Sequence, residues 1–223
     1  QKVPGGKSAG RVQSPAVRLL VEREREIRAF EGSASYKVTV ELKVKGATMK
    51  SELPKKFETE AQAHKFLESL IGSTFKISNV ATSPGTRNPA PPFTTSTLQQ
   101  EANSRLGFSA KATMGGAQKL YQEGKITYMR TDSVNLSGQA LSQITNYVTE
   151  TYGKEYHQFR TYKTKSSGAQ EAHEAIRPTD VSVEKASSDA YNQKLYNLIR
   201  NRALASQMAH EKKEKTTITI AIS

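Results

Sequence analysis

Pro84-Gly85-Thr86-Arg87-Asn88-Pro89-Ala90-Pro91-Pro92 divides the sequence into two kinds of pattern. Four prolines and a glycine here predict an extended linker, because proline fixes φ and donates no backbone hydrogen bond. N-terminal to it, apolar residues recur at every second position. Tyr36, Val38, Val40, Leu42 and Val44 alternate with Lys37, Thr39, Glu41, Lys43 and Lys45, the signature of a half-buried strand ending at Gly46. Residues 61–71 (AQAHKFLESLI) read as a short amphipathic helix stopped by Gly72, and residues 74–82 (TFKISNVAT) as a second strand.

C-terminal to the linker the period becomes helical. Thr95 or Ser96 can cap a helix to Leu106. Residues 111–122 predict another, weakened at Gly115-Gly116, and residues 137–152 a third, closed by Gly153. Residues 163–170 are polar and read as a mobile loop. Residues 188–208 predict a long helix with Tyr191, Leu195, Leu198, Ile199, Leu204 and Ala205 on one side, and residues 216–220 (TTITI) return to a strand pattern. Near the start, Pro15 sits where a helix begins, with Ser14 as its N-cap, and residues 15–30 carry an apolar stripe. The expected fold class is α+β: a β-rich domain of residues 33–94 plus 211–223, an all-helical domain inserted at residues 95–210, and a helical segment within residues 1–32.

The chain has 223 residues, enough for one large or two small domains, and a formal net charge of +12. That charge favours a polyanionic partner, most often nucleic acid. The absence of cysteine excludes disulfides and thiolate zinc sites. No apolar run approaches the roughly 18 residues of a membrane span. The chain starts at Gln1 without Met and stops at Ser223 inside a strand-like run, so a piece of a longer protein is expected.

Two motifs mislead. Gly6-Lys7-Ser8 resembles the end of a P-loop, but the glycine required at position 1 is Gln1. His173-Glu174 begins like a zinc-protease motif, but Arg177 stands where the second histidine belongs. Three segments are more informative. In Lys125-Ile126-Thr127-Tyr128-Met129-Arg130-Thr131-Asp132-Ser133, an extended backbone puts Tyr128 and Arg130 on one face. A phenol is a possible nucleophile, and a guanidinium beside it can grip a phosphate with two parallel bonds. Taken alone, the pair is also what a tyrosine packed beside a surface arginine looks like. In Glu171-Ala172-His173-Glu174-Ala175-Ile176-Arg177-Pro178-Thr179, His173 and Arg177 share a face if the segment is helical, which suits a phosphodiester. A capped turn with a solvated charge cluster is the alternative. In the basic run 8–19, a loop meets a helix N-terminus, a ready phosphate site, and Arg18 and Glu22 share a face as i and i+4; an ordinary ion pair on an exposed helix is the alternative.

Together GRVQSPAVRLLVERE, PPFTTSTLQQEA, ITYMRTDS and EAHEAIRPT, in this order over residues 8–179, closely resemble bacterial DNA topoisomerase I of the type IA class. Reverse gyrase shares related motifs. The resemblance implies a four-domain toroid that cuts one DNA strand without ATP, relaxing negatively supercoiled DNA. It implies Tyr128 as the nucleophile that stays linked to a 5′-phosphate, Arg130 as the holder of the scissile phosphate, and His173 as an active-site histidine. Arg11, Gln13, Arg18 and Glu22 fall in the segment that meets the bound single strand, and Arg177 is added as a DNA contact. Residues 33–94 and 211–223 correspond to the arch domain, residues 95–210 to the helical domain with the tyrosine, and residues 1–32 to part of the strand-binding domain. The family binds Mg²⁺ through a Glu and an Asp-x-Asp pattern. Here the aspartates are Asp132, Asp180 and Asp189, none two apart. The ligands are therefore expected in an N-terminal metal-binding domain of the same polypeptide, and the chain alone is expected to be inactive. Its expected place is the bacterial nucleoid in the cytoplasm. The competing expectation is a basic nucleic-acid-binding module without catalysis. A tyrosine recombinase fits less well, because its tyrosine should lie near the C-terminus.

Overall fold

The helix at Gln13–Ala29 (α1) opens a computed structural model that describes Gly10 and residues 12–44, 46–162 and 173–223. The segments at Gly6-Lys7-Ser8, Arg11, residues 163–170 and Glu171 lie outside these described residues. The helix starts earlier than Pro15, and its N-cap is Val12, with no side-chain cap, instead of Ser14. Pro15 still occupies the first turn, where its missing N–H costs nothing. None of the residues of α1 is buried. It is laced by ion pairs at Arg18–Glu22 (2.7 Å), Arg23–Glu26 (2.6 Å) and Arg28–Glu24 (3.0 Å).

By contact density the chain forms two units, residues 1–79 with 218–223, and residues 80–217. In the first, strands Tyr36–Val44 (β1) and Ala47–Phe57 (β2) pair antiparallel. Gly46 turns the hairpin with φ +84°, a left-handed conformation that suits glycine. Strand β2 was not expected from the sequence. Its register jumps between Lys37–Lys56 and Thr39–Glu52, so Leu53, Pro54 and Lys55 face Val38 alone. This bulge accommodates Pro54, which cannot donate to the ladder. Helix Glu60–Ser69 (α2) is capped by Thr59, whose hydroxyl accepts from the Gln62 amide. It lays Phe66 against Phe57, ring centroids 5.3 Å apart.

Strands Phe75–Arg87 (β3) and Glu211–Ile222 (β4) form a second two-stranded sheet. Thr74 and Ser223 exchange backbone hydrogen bonds of 2.8 and 3.1 Å, and the Ser78 hydroxyl donates to the Thr219 carbonyl, so the strands run antiparallel. β3 continues through Pro84 and Gly85 to Arg87, so the irregular linker is shorter than the proline pattern predicted. A two-stranded sheet has only edges, and an edge strand tolerates proline.

Among the described residues of 80–217 there are four helices, Thr95–Leu106 (α3), Ala110–Gln122 (α4), Gly138–Thr151 (α5) and Ala190–Ser206 (α6), plus a 3₁₀ turn at Lys154–Tyr156. Side chains of Thr94, Ser109, Ser137 and Asp189 cap the helices in order. Thr94 therefore replaces Thr95 or Ser96 as the cap of α3, where it exchanges bonds with Thr97 in a capping box. The main core joins Leu98 and Ala102 of α3, Ala117 and Leu120 of α4, and Leu195, Tyr196 and Ile199 of α6 to Phe93, Ile126, Met129 and Ile176 from the connecting segments. A second cluster joins Ile144 and Val148 to Val181, Ala203 and Leu204. The architecture is thus a mixed helix-and-strand fold.

Candidate active site

Three irregular segments meet beside the first turn of α3. Ile126 bridges Pro178, and Phe93 bridges Ile176. Thr127 anchors the strip on one side of Tyr128: its amide donates to the Arg177 carbonyl (2.9 Å), its hydroxyl donates to the Ala175 carbonyl (2.7 Å), and that hydroxyl accepts from the Arg177 amide (3.0 Å). Thr95 anchors it beyond Met129. Its amide donates to the Thr131 carbonyl (2.9 Å), and its hydroxyl donates to the Met129 carbonyl (2.8 Å) and accepts from the Thr131 amide (2.9 Å). Ile126 and Met129 point into the core, while Tyr128 and Arg130 are exposed on either side of Met129.

Arg130 and His173 line a surface depression of about 560 Å³ together with Thr95, Gln99 and Asp132. Tyr128 is not part of that lining; its ring stands edge-on to Tyr121, centroids 5.2 Å apart. A larger depression of about 1070 Å³, lined in part by Arg87, Glu101, Arg202 and Lys212, shares no residue with it and mixes both signs of charge. Arg130 and His173, brought together across more than forty residues of sequence, mark the smaller depression as the chemically coherent one.

Arg177 corrects the sequence reading. The segment from His173 is extended instead of helical, so His173 and Arg177 do not share a helix face. Backbone groups a helix would need are spent elsewhere: the Ala175 amide on Asn135, that of Ile176 on Phe93, and that of Thr179 on Lys125. The Arg177 side chain is buried and engages Glu174 with two bonds, Nε to Oε1 at 3.2 Å and Nη2 to Oε2 at 2.8 Å, and donates to the Pro178 carbonyl. These bonds hold the loop together and leave the guanidinium largely withdrawn from the surface. Burial pushes the Glu174 carboxyl up, but hydrogen bonds from Arg177 and Ser137 outweigh it and hold the group below its ordinary range.

Gln13, Arg18 and Glu22 line one shallow groove along α1, with Arg18 turned to Glu22. Sequence reasoning missed Thr95, Thr127 and Gln99. The run Thr94-Thr95-Ser96-Thr97 signalled a helix start, but nothing in it reveals a bond to a segment over thirty residues away. Among the described residues, no three His, Asp or Glu side chains converge to hold a metal ion, and no helix is long and apolar enough to cross a membrane.

An exposed tyrosine and arginine on a strip braced by threonine hydroxyls, with a histidine beside the arginine, fit a phosphodiester-handling protein. The chain belongs to the DNA topoisomerase family, whose model matches residues 1–223. It is 46% identical to DNA topoisomerase 1 of Zymomonas mobilis over 99% of this chain and 19% of that protein. It is 43% identical to DNA topoisomerase 1 of Synechocystis over 100% of this chain and 28% of that protein, and 42% identical to the Escherichia coli protein of the same name over 99% and 27%. The chain thus spans less than a third of the length of these relatives. The solved structure of full-length topoisomerase I from Thermotoga maritima matches with a TM-score of 0.71 at 36% identity, covering 97% of this chain and 36% of that one.

Proposed function

We propose that these residues work within a type IA DNA topoisomerase, which relaxes negatively supercoiled DNA by cutting one strand, passing another and resealing the break. Residues 1–32 serve the strand-binding domain, residues 33–94 with 211–223 the arch, and residues 95–210 the domain that carries the nucleophile. The partner is the single-stranded segment of an underwound duplex. The workplace is the bacterial nucleoid in the cytoplasm.

Tyr128 Oη attacks the backbone phosphorus; the new bond is phenol oxygen to phosphorus, and the bond to the 3′ oxygen breaks. The phenolic proton ends on that 3′ oxygen, and His173, which lines the depression with Arg130, is the imidazole assigned to relay it. Arg130 holds the non-bridging oxygens, where its planar fork is worth more than a point charge. One phosphodiester replaces another of similar energy, so resealing is the same step reversed and ATP is not needed. Mg²⁺ is implied by the family. The described residues form no ligand set for it, and we assign its ligands to the N-terminal metal-binding domain of the same polypeptide.

The observation that carries this reading is the exposure of Tyr128 and Arg130 on either side of buried Met129, with His173 sharing Arg130's depression. In a polypeptide that includes the metal-binding domain, Tyr128→Phe is expected to abolish the covalent DNA adduct and relaxation while single-strand affinity stays within about twofold, since only one hydroxyl is lost. Adduct formation by the Phe variant at the parent rate would show that Tyr128 is not the nucleophile, and no adduct from the parent polypeptide would leave the other reading, a basic nucleic-acid-binding module without catalysis.

A further inference from the structure

Arg130 stands in irregular backbone, so no ladder or helix sets its direction. An exposed arginine that must meet a phosphate needs its base fixed, because a misplacement of about 1 Å can cost on the order of a hundredfold in rate. The two peptide groups that flank its Cα determine that base. The first contains the Met129 carbonyl and the second contains the Thr131 amide. A single hydroxyl touches both: Thr95 Oγ1 donates to the Met129 carbonyl at 2.8 Å, nearer than the Thr131 carbonyl at 3.1 Å, and accepts from the Thr131 amide at 2.9 Å. The Thr95 amide then takes the Thr131 carbonyl at 2.9 Å. The donor and acceptor capacities of one hydroxyl are thereby used on opposite sides of one residue.

Thr95 itself is firmly seated. It is the first residue of α3, whose cap is closed by Thr94 and Thr97 and whose Leu98 and Ala102 are fully buried. We propose that Thr95 is a positioning residue for Arg130: its hydroxyl fixes φ and ψ of Arg130 to the first turn of α3 and so aims the guanidinium at the depression both residues line. The proposal rests on the reading of Arg130 as the phosphate holder.

The test is single-turnover cleavage of a single-stranded oligonucleotide by the complete polypeptide, with strand affinity measured in parallel. Thr95→Val keeps the shape and removes the hydroxyl; it is expected to slow cleavage about ten- to a hundredfold with affinity within about threefold. Thr95→Ser restores the hydroxyl and is expected to recover most of the rate. In an Arg130→Ala background, Thr95→Val should add little, because the residue it acts through is gone. Should the Val variant not fold, Thr95→Ala, which lets water reach the freed amide, enters the same cycle. A Ser variant as slow as Val, or a Val loss that is undiminished in the Arg130→Ala background, overturns the proposal and leaves the role of Arg130 standing. Parent-rate cleavage by Arg130→Ala alone overturns the reading beneath it.

Discussion

Glu174 links the stability of the site loop to pH. Its carboxyl takes two bonds from the buried Arg177 guanidinium and one of 2.6 Å from the Ser137 amide, at the start of α5. Its folded pKa lies below its unfolded value, since these bonds outweigh the burial that opposes them. The ionised carboxylate therefore stabilises the fold fully above the unfolded value, about 4.3, and that contribution is lost as pH falls through the lower folded value. Glu174→Gln is expected to cost about 2 kcal/mol at pH 7, below the usual loss for a broken buried pair because Glu174 keeps some contact with water. Urea unfolding of both proteins at pH 7 and pH 3 checks the sign: the gap should narrow in acid. A gap of equal size at both values would show that the carboxylate charge is not its source.

Helices α4 and α6 meet at a glycine. A Cβ on Gly116 would lie 3.0 Å from Leu195 Cδ2 and 3.1 Å from Asn192 Oδ1, whereas one on Gly115 would meet nothing within 4 Å. Gly116→Ala is expected to destabilise by about 1–2 kcal/mol through overpacking, and Gly115→Ala to stabilise by roughly 0.5–1 kcal/mol through helix propensity. Opposite shifts in the thermal midpoints of the two variants check this; equal shifts would mean that the interface, not propensity, has been misjudged. The sequence shows both glycines as equal weak points, because closeness between helices leaves no mark on the helix's own pattern. The same limit recurs elsewhere. The four helices after the linker are legible because each has a capping side chain before an apolar period. Strand β2 is hidden because Pro54, Lys55 and Lys56 break its alternation; Leu53, Pro54 and Lys55 are taken up in the bulge opposite Val38, while Lys56 pairs with Lys37. In the site, Tyr128 and Arg130 are both exposed, as a local two-residue spacing allows, although Tyr128 lies outside the depression that Arg130 lines. The threonine bonds that seat them are not legible, since Thr127 reaches Ala175 and Thr95 reaches Met129 across the chain.

A net charge of +12 sets how the molecule as a whole should meet a polyanion, but the formal figure overstates the phosphate contacts available. On α1, Arg18, Arg23 and Arg28 are each turned to a glutamate. Such exposed pairs are worth little, about 0.3–0.5 kcal/mol, so an arginine can exchange its carboxylate for a phosphate at small cost. With some three to six phosphates neutralised, the logarithm of single-strand affinity should fall with the logarithm of salt at a slope of roughly −2 to −4. Between 50 and 200 mM salt that is a loss of very roughly ten- to several-hundredfold. Glu22→Gln sharpens the test, because it frees Arg18 in the groove those two residues line with Gln13. The variant is expected to bind a single strand more tightly at low salt and to steepen the slope by up to about 0.7, the share of one extra phosphate contact. Fluorescence anisotropy with a labelled oligonucleotide across the salt series measures both quantities. An unchanged slope would place Arg18 off the strand's path, and a flat parent curve would remove electrostatic attraction as the basis of DNA binding by this chain.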